Sequence, residues 1–333
     1  MYNLEEDSNM LKRIFLLFLV VNVLSACSLG AQKTQTEKEY KIGILLSDSG
    51  LGDESFNDSA FRGLERARDE FGILFDYKEA PDGDFEEKLT ELVAEEYDLI
   101  IGLGFSVKEA LEEVAKEHPN QQFMIIDEVS ELENVVSLTF KEYEGSFLVG
   151  MVAAMKSTTG KIGFIGGFDV PVVNHFKAGY IQGAKYINPN VEVLVEYANS
   201  FGDATLGGTI AEKQIAAGAD FIYPAAGFTG FGALQTAQKL GKLAAGVDSD
   251  QFFVAEKAVT TSMLKNIDVA VYDIAKELKD TGKIGSSAYV LGLSENGVGL
   301  ADIRVVQLSD AEKSQLKEAK EKIISGDITV PME

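Results

Sequence analysis

Short apolar runs alternate along the chain with longer stretches in which apolar residues recur every three or four positions. The runs have the length of β-strands and the stretches have the period of amphipathic helices, so the pattern predicts repeated strand–helix units around a largely parallel sheet. The predicted strands are 41–46, 74–77, 99–103, 123–127, 135–140, 161–165, 191–195, 221–224, 244–247 and 289–293. The predicted helices are 56–70, 84–95, 106–117, 142–156, 172–186, 204–217, 230–240, 264–279 and 310–324.

Some of these runs, such as LIIGL at 99–103, contain no polar residue. Strands that are apolar on both faces are typical of parallel sheets covered by helices above and below. At roughly 100 to 200 residues per domain, a chain of 333 residues has room for two such domains. The pattern therefore predicts an α/β protein with two Rossmann-like lobes, and we expect the chain to cross first between them near 145–155.

The first apolar run is different, because it follows two cations and ends at the only cysteine of the chain. The run 14–26 is shorter than the roughly 20 residues that span a bilayer, so it is typical of an export signal and not of a transmembrane helix. The tetrapeptide Leu24-Ser25-Ala26-Cys27 resembles the lipobox of bacterial lipoproteins, in which the cysteine is acylated and becomes the N-terminus. We therefore expect residues 1–26 to be a signal peptide and Cys27 to be the lipidation site.

The segments on either side of this run extend the export hypothesis. Residues 1–9 carry three acids ahead of the cations, which is unusual for a signal peptide, so Met10 is an alternative start. Residues 27–39, polar from Gln32 onward, are typical of a solvated tether between a lipid and a folded domain. These features place the protein on the extracytoplasmic face of the cell membrane, anchored by its N-terminal lipid.

The composition excludes several classes of partner. The chain has 30 Lys and Arg against 53 Asp and Glu, a formal net charge of -23, and such a surface repels phosphate backbones. Nucleic acid is therefore excluded as a partner. One cysteine cannot form an intramolecular disulfide, and His118 and His175 are too far apart for Cys/His metal-ligand spacing, so we expect no metal and no cofactor.

Three acids stand at the ends of predicted strands. Asp48, Asp127 and Asp248 follow three apolar runs, and the carboxyl ends of parallel strands are where open α/β sheets bind ligands. Carboxylates can accept hydrogen bonds from vicinal hydroxyls, so three of them in one cleft favour a polyol or ribose site. The alternative is that each acid caps the helix that follows it.

Other candidate residues surround these acids. Ser55 and Asp58 have the spacing of a capping box, which explains part of the loop after the first strand but not the aromatic Phe56. The glycine-rich segment 226–232 lets the backbone approach a ligand at a helix N-terminus, although its glycine order is not that of a dinucleotide-binding loop. Lys265 is either a cation beside the acidic cluster or an ordinary solvated lysine.

Motifs of catalysis are missing from the sequence. There is no G-x-S-x-G segment and no Walker G-x-x-x-x-G-K-[ST] segment, and neither histidine lies in a motif that would make it a general base. For His175 a surface role is the more economical interpretation. We therefore expect a binding protein and not an enzyme.

The same residues carry a resemblance to a known family. The chain resembles the basic membrane protein family of bacterial substrate-binding lipoproteins, which includes purine nucleoside receptors, over nearly all of residues 24–333. The matching segments are the lipobox, SDSGLGDESFNDSAFRGL at 47–64, GLGFS at 102–106, EGSFLVGMVAA at 144–154, KIGFIGG at 161–167, VVNHFKAGYIQGAK at 172–185, SFGDATLGGTIAEKQIAAGADFIYPAAG at 200–227, GVDSDQ at 246–251 and TTSMLKNID at 260–268.

This resemblance implies a type I periplasmic-binding-protein fold, in which two α/β lobes are joined by a three-segment hinge. Residues 40–145 plus approximately 262–290 then form lobe 1, and residues 146–261 plus approximately 291–333 form lobe 2. Known members of the family feed ABC importers. The implied partners are therefore a small-molecule ligand, expected to be a purine nucleoside, and an ABC permease in the membrane.

The resemblance also implies a role for each candidate residue. Phe56 and Phe176 lie on either side of the base, where aromatic stacking is worth roughly 1 to 3 kcal/mol. Asp127, Asp248 and Lys265 hold the ribose hydroxyls, in agreement with the acids found at the strand ends. The rest of the polar shell is formed by Asp48, Asn57 and the backbone of Gly227.

Three departures from the family pattern lie beside this cleft. Leu51 and Phe228 stand where glycine is usual, and Asp58 stands where glutamine is usual. An extra acid and bulkier walls bear on which nucleoside is preferred. Two other functions remain open: a lipoprotein sensor of the same fold that binds another small polar ligand, and a nucleoside hydrolase, against which the missing motifs weigh.

Overall fold

Twelve β-strands form two six-stranded sheets in the computed structural model, which describes residues 38–332. The predicted signal peptide, Cys27 and the tether up to residue 37 lie outside the described residues. The strands are β1 Lys41–Leu45, β2 Leu74–Lys78, β3 Leu99–Leu103, β4 Phe123–Ile126, β5 Val135–Phe140, β6 Lys161–Gly166, β7 Glu192–Tyr197, β8 Phe221–Ala225, β9 Leu243–Asp248, β10 Val259–Lys265, β11 Ala288–Leu291 and β12 Val298–Leu300.

Nine α-helices of the described chain cover these sheets, and a short 3₁₀ helix, Gln251–Val254, follows β9. The helices are α1 Phe56–Phe71, α2 Phe85–Ala94, α3 Phe105–Glu117, α4 Glu142–Lys156, α5 Pro171–Ile187, α6 Ala204–Ala216, α7 Gly227–Lys239, α8 Ile267–Thr281 and α9 Asp310–Ser325. Within residues 38–332, none of the helices combines the length and the apolar character that crossing a membrane requires.

Each sheet forms the centre of one lobe. The first sheet has the order β11-β5-β4-β3-β1-β2 and is parallel throughout. The second has the order β12-β10-β9-β8-β6-β7, and β12 is its one antiparallel strand. The central strands are buried, as the apolar run LIIGL of β3 illustrates. The predicted architecture of two α/β lobes is confirmed.

The chain passes between the two sheets at three places. The first crossing follows β5, because α4 packs against α5, β10 and β12 of the second lobe. The second separates β10 from α8, which packs against α1, and the third joins β11 to β12. The first crossing thus precedes the predicted position near 145–155. Residues 262–265 pair within the second sheet, whereas the sequence-based boundary near 262 assigned them to lobe 1.

Strand β10 also replaces the start of the helix predicted from 264, which begins at Ile267. Its polar residues Thr260, Thr261 and Ser262 are buried, and each hydroxyl has a hydrogen-bond partner. The Thr260 hydroxyl donates to the Ala244 carbonyl at 3.0 Å, and the Thr261 hydroxyl donates to the Ala301 carbonyl at 2.7 Å. A polar segment can therefore form a central strand, which its hydropathy does not indicate.

Helices α4 and α5 approach each other at glycines. A Cβ at Gly150 would lie 2.1 Å from the Tyr180 carbonyl oxygen, and one at Gly183 would lie 1.8 Å from that of Phe147. Since real Cβ atoms essentially never come this close, only glycine permits the crossing. The close packing brings the first turns of the two helices together beside the cleft between the lobes.

Candidate ligand-binding site

A pocket lies between the two lobes, at the carboxyl ends of their strands. Its empty space is about 640 Å³, including the part open to solvent, which falls in the usual range for small-molecule sites. Seven of the eight residues predicted for ligand binding line it: Asp48, Phe56, Asp127, Phe176, Gly227, Asp248 and Lys265. Because the carboxyl ends of parallel strands meet at one edge, the strand-end acids lie together as expected.

Lys265 is the last residue of β10 and is 1% exposed. Its Nζ lies 2.5 Å from Asp127 Oδ2, an ion pair that joins the second sheet to the first. The rings of Phe56 and Phe176 have their centroids 5.5 and 5.4 Å from the same nitrogen, and that of Phe140 is 5.0 Å away. The two aromatic residues predicted for the site therefore both face this ammonium group.

Asp127 directly follows β4 and has a positive φ of 68°, a conformation that aspartate tolerates better than most residues. Its Oδ2 accepts from Lys265, whereas its buried Oδ1 has no hydrogen-bond partner within the described residues. Burial raises the pKa of Asp127 to about 7, with Lys265 opposing the rise and Glu142 and Asp248 adding to it. An unpaired buried acceptor is costly, so Oδ1 is available for a donor from a ligand.

Asp248 ends β9 and also has a positive φ, of 63°. Its Oδ2 accepts a hydrogen bond of 2.5 Å from the Ser55 hydroxyl, which belongs to the other lobe. Burial raises the pKa of Asp248 above its ordinary value, although Lys265 and the Ser55 hydroxyl act in the opposite direction. Neither Asp127 nor Asp248 is required by helix capping, so the ligand interpretation of these acids is the one that the geometry supports.

The predicted capping box at the start of α1 does not form. Ser55 is the N-cap residue but makes no side-chain capping bond. Asp53 accepts instead from the backbone N–H groups of Ser55, Asn57 and Asp58, at 2.9, 2.9 and 3.2 Å. Burial raises the pKa of Asp53 to about 6 despite these hydrogen bonds. Because Asp53 satisfies the helix end, the Ser55 hydroxyl is free to reach Asp248.

Asn57 is the predicted site residue that does not line the pocket. It is fully buried, and its amide nitrogen donates to the side chains of Ser47, Ser49 and Asp53 at 2.9 to 3.0 Å. Its Oδ1 accepts from the Ser47 backbone N–H at 2.9 Å. The amide is thus occupied in holding the loop between β1 and α1. Its predicted direct ligand contact is replaced by support of the pocket wall.

The glycine-rich segment has two separate roles. Ala226 and Gly227 line the pocket at the start of α7, where Gly227 has a φ of 52°. Gly232 lies outside the pocket, and a Cβ there would be 1.8 Å from the Ala204 carbonyl oxygen. It therefore serves the packing of α7 against α6. Only the first part of the segment contributes backbone to the ligand space.

Glu142 and His175 form a buried group that the sequence analysis missed. Glu142 Oε1 lies 2.9 Å from Lys265 Nζ, and its Oε2 lies 3.3 Å from His175 Nδ1. His175 is about one quarter exposed, so the surface role given to it was incomplete. Burial alone would raise the pKa of Glu142, but Lys265 and His175 outweigh it and hold the pKa below its ordinary value. The signal was available, since Glu142 is an acid two residues after β5.

Aromatic side chains close the other end of the pocket. Phe105, at the start of α3 in the first lobe, contacts Phe168 and Phe201 of the second, with ring centroids 6.0 and 6.3 Å apart. Phe168 and Phe201 are themselves 5.3 Å apart. Phe105 and Phe201 line the pocket and were not predicted from the sequence. They provide an apolar wall opposite the charged end.

The charged end of the pocket has an excess of acid. Asp127, Glu142 and Asp248 are carboxylates in or beside it, and they surround the ammonium of Lys265. Burial alone would lower the pKa of Lys265, but these neighbouring carboxylates raise it above its ordinary value. An arrangement of this kind favours a neutral ligand that donates hydrogen bonds over one that brings negative charge.

Two α/β lobes with a polar pocket between them define a solute-binding protein of the periplasmic-binding-protein type. Residues 41–333 match the family model described as Bmp, ABC transporter substrate-binding protein PnrA-like, so the chain belongs to this family. The expected resemblance to basic membrane proteins is thereby confirmed.

Curated relatives cover nearly the whole chain. It is 34% identical to the CD4+ T-cell-stimulating antigen of Listeria monocytogenes, over 97% of this chain and 99% of that protein. It is 32% identical to basic membrane protein D of Borreliella burgdorferi, over 97% and 96%. It is 33% identical to the ABC transporter nucleoside-binding protein BmpA of Lactococcus lactis, over 93% and 95%.

Solved structures of similar fold include an ABC transporter solute-binding protein from Aeropyrum pernix. Its TM-score is 0.80 at 30% identity, over 88% of this chain and 94% of that chain. A transcriptional activator of the comK gene from Bacillus halodurans has a TM-score of 0.73 at 25% identity, over 86% and 99%. The two-lobed architecture is therefore shared by proteins named for transport and for regulation.

Proposed function

We propose that this protein is an extracytoplasmic lipoprotein that binds a nucleoside, a purine nucleoside first of all, and delivers it to an ABC importer. The observation that carries the proposal is the unpaired, buried Oδ1 of Asp127 in the pocket beside Lys265. A ribose hydroxyl is a neutral donor of the kind that this oxygen lacks. The relative named as a nucleoside-binding protein in Lactococcus lactis supports the same ligand class.

The pocket contains groups suited to both parts of a nucleoside. We assign the base to the space between Phe56 and Phe176, because aromatic rings stack on any base and a purine offers the larger face. The ribose goes to Asp127, Asp248 and Lys265 at the charged end. The remaining contacts are assigned to Asp48 and the backbone of Gly227, while Asn57 supports the loop behind them.

Ligand identity is tested by calorimetry and thermal shift on the purified protein. The panel contains purine and pyrimidine nucleosides, the free bases, nucleotides and simple sugars, since a ligand that binds only the native state must raise the melting temperature. We expect inosine, adenosine or guanosine to give the largest shift. A shift from sugars alone, or from no compound in the panel, contradicts the nucleoside assignment. Free base released from inosine in the presence of Mg²⁺ would contradict the proposal of binding without catalysis.

Delivery to an importer and anchoring by Cys27 are tested in cells. A strain that lacks the protein should lose uptake of radiolabelled nucleoside, and the wild-type gene should restore it. Cys27→Ser should release the protein from the membrane fraction, because the serine cannot be acylated through a thiol. Normal uptake in the deletion strain would overturn the transport role.

The second candidate function is sensing. The structural relative named as a transcriptional activator favours it, since that chain has the same fold at 25% identity. A sensor would bind its ligand with the same pocket, but its deletion would change gene expression and leave nucleoside uptake intact. Measuring both in the deletion strain separates the two roles.

A further inference from the structure

Glu142 is a buried carboxylate that the stacking and ribose contacts proposed above do not use. It is 1% exposed and lies on the first turn of α4, just after the chain leaves the first sheet. It does not line the pocket. Burying a carboxylate is costly unless it is paired and hydrogen-bonded, so its partners are the key to its role.

The two oxygens of Glu142 have different partners. Oε1 lies 2.9 Å from Lys265 Nζ, and Oε2 lies 3.3 Å from His175 Nδ1. An ionised carboxylate can only accept hydrogen bonds, so both partners donate to it. The Lys265 ammonium has three hydrogens, and the described residues offer it two acceptors, Asp127 and Glu142. The third hydrogen is available to a ligand in the pocket.

These partners belong to different lobes. Lys265 ends β10 and His175 lies on α5, so both move with the second sheet, as does Glu142 on α4. Asp127 follows β4 of the first sheet. Because the pocket side chains are buried, the lobes must separate for a ligand to enter. That motion takes Asp127 away from Lys265 and leaves Glu142 in contact with it.

We propose that Glu142 is a positioning residue that keeps Lys265 charged and in place while the lobes are open, so that its ammonium is ready for the ribose when they close. Without Glu142, the open form would leave Lys265 beside the rings of Phe140 and Phe176 with no carboxylate partner in contact. The ammonium would then turn toward water or lose its proton. This inference rests on the proposed function, in which Lys265 contacts the ribose.

The test compares two buried glutamates of the same helical turn. Glu142→Gln keeps the shape of the side chain and removes its charge, and calorimetry measures its affinity for inosine, adenosine and guanosine. We expect a loss on the order of 10- to 100-fold, as is typical when an outer partner of a binding group is removed. The matched control is Glu144→Gln, because Glu144 accepts from the Leu293 N–H at 2.8 Å and lies 3.5 Å from Lys141, away from Lys265. Its affinity should match the wild type.

Two further readouts separate positioning from a general structural effect. Glu142→Gln should weaken nucleosides and leave the free bases nearly unchanged, because only the ribose uses Lys265. In a Lys265→Met background, the same substitution should cause no further loss, since residues that act through one another are not additive. Should Glu142→Gln fail to fold, Glu142→Asp, which keeps the charge but shortens its reach, should give the same pattern.

Each outcome decides the inference. Unchanged nucleoside affinity in Glu142→Gln, equal losses for nucleosides and bases, or an equal loss in the Lys265→Met background would each overturn it while leaving the proposed function intact. A wild-type protein that binds none of the nucleosides overturns the proposed function and this inference with it.

Discussion

The hydroxyl of Ser55 donates to Asp248 Oδ2 at 2.5 Å across the cleft, joining residues 193 positions apart in sequence. A second bond at the same lip runs from the Ser249 hydroxyl to the Glu54 carbonyl oxygen at 3.0 Å. Lys265 and Asp127 form a third connection between the lobes. Contacts of this kind exist only when the lobes are together, so they stabilise the closed form and contribute to ligand affinity.

Ser55→Ala tests the first of these contacts. Removing a hydrogen bond to a charged acceptor costs about 1.5 to 3 kcal/mol, so we expect nucleoside affinity to fall by roughly tenfold or more. Calorimetry on the variant measures the change. Ser286→Ala, in an exposed loop before β11, is the matched serine control and should bind as the wild type does. Equal affinity in both variants would show that the Ser55 bond does not contribute to closure.

Phe176→Leu tests the proposed stacking on the base. The substitution keeps an apolar side chain at a position that is 5% exposed, which limits the cost to the core. Loss of the ring should weaken nucleosides and free bases alike, by about 1 to 3 kcal/mol. Phe253→Leu is the control, because Phe253 is 80% exposed and does not line the pocket. Undiminished binding by Phe176→Leu would remove this ring from the site.

The acidic end of the pocket predicts discrimination against phosphate. Nucleoside 5′-monophosphates should bind at least about 100-fold more weakly than the nucleosides, because a like charge beside buried carboxylates costs several kcal/mol. A neutral 5′-O-methyl nucleoside separates charge from size and should bind more tightly than the monophosphate. Equal affinities for nucleoside and monophosphate would contradict the assignment of the charged end to the ribose.

The raised pKa of Asp127 predicts a pH-dependent stability. Burial raises this pKa from the ordinary 3.8 to about 7, so the contribution of this carboxyl to stability is fully present below about pH 4 and is lost as the pH rises through 7. Asp127→Asn cannot ionise, and its melting temperature should therefore gain on that of the wild type between pH 5 and pH 8.

Asp220→Asn is the control for this titration. Burial alone would raise the pKa of Asp220, but hydrogen bonds from Ser157, Thr158 and Thr159 hold it below its ordinary value. Its contribution to stability is lost only as the pH falls well into the acid range, so the difference between Asp220→Asn and the wild type should stay constant from pH 5 to pH 8. A constant difference for Asp127→Asn as well would show that Asp127 does not titrate near neutrality.

Much of the fold follows from local pattern. Strand β3 and helix α4 have the bounds predicted for them, because an apolar run and a helical period are properties of neighbouring residues. Strand β10 was missed as an element because Thr260, Thr261 and Ser262 are polar. Their burial is possible only because other parts of the chain supply hydrogen-bond partners, which no local pattern reveals.

The candidate site divides in the same way. Asp127 and Asp248 could be predicted, since strand ends of a parallel sheet share one edge. Glu142, Phe105 and Phe201 could not be assigned, because their place in the site depends on how the two lobes face each other. Asn57 was predicted as a ligand contact, yet its amide is occupied by the neighbouring loop, a detail of packing that the motif does not contain.

The sequence by itself determined the α/β alternation, the acids at the strand ends and the aromatic residues beside them. These features depend on the order and spacing of residues within single elements. Only the tertiary structure decided that Asp127 and Glu142 share Lys265, that Ser55 binds Asp248 and that one oxygen of Asp127 has no partner among the described residues. Such contacts join residues more than a hundred positions apart, and their distances depend on how two separately built lobes pack together.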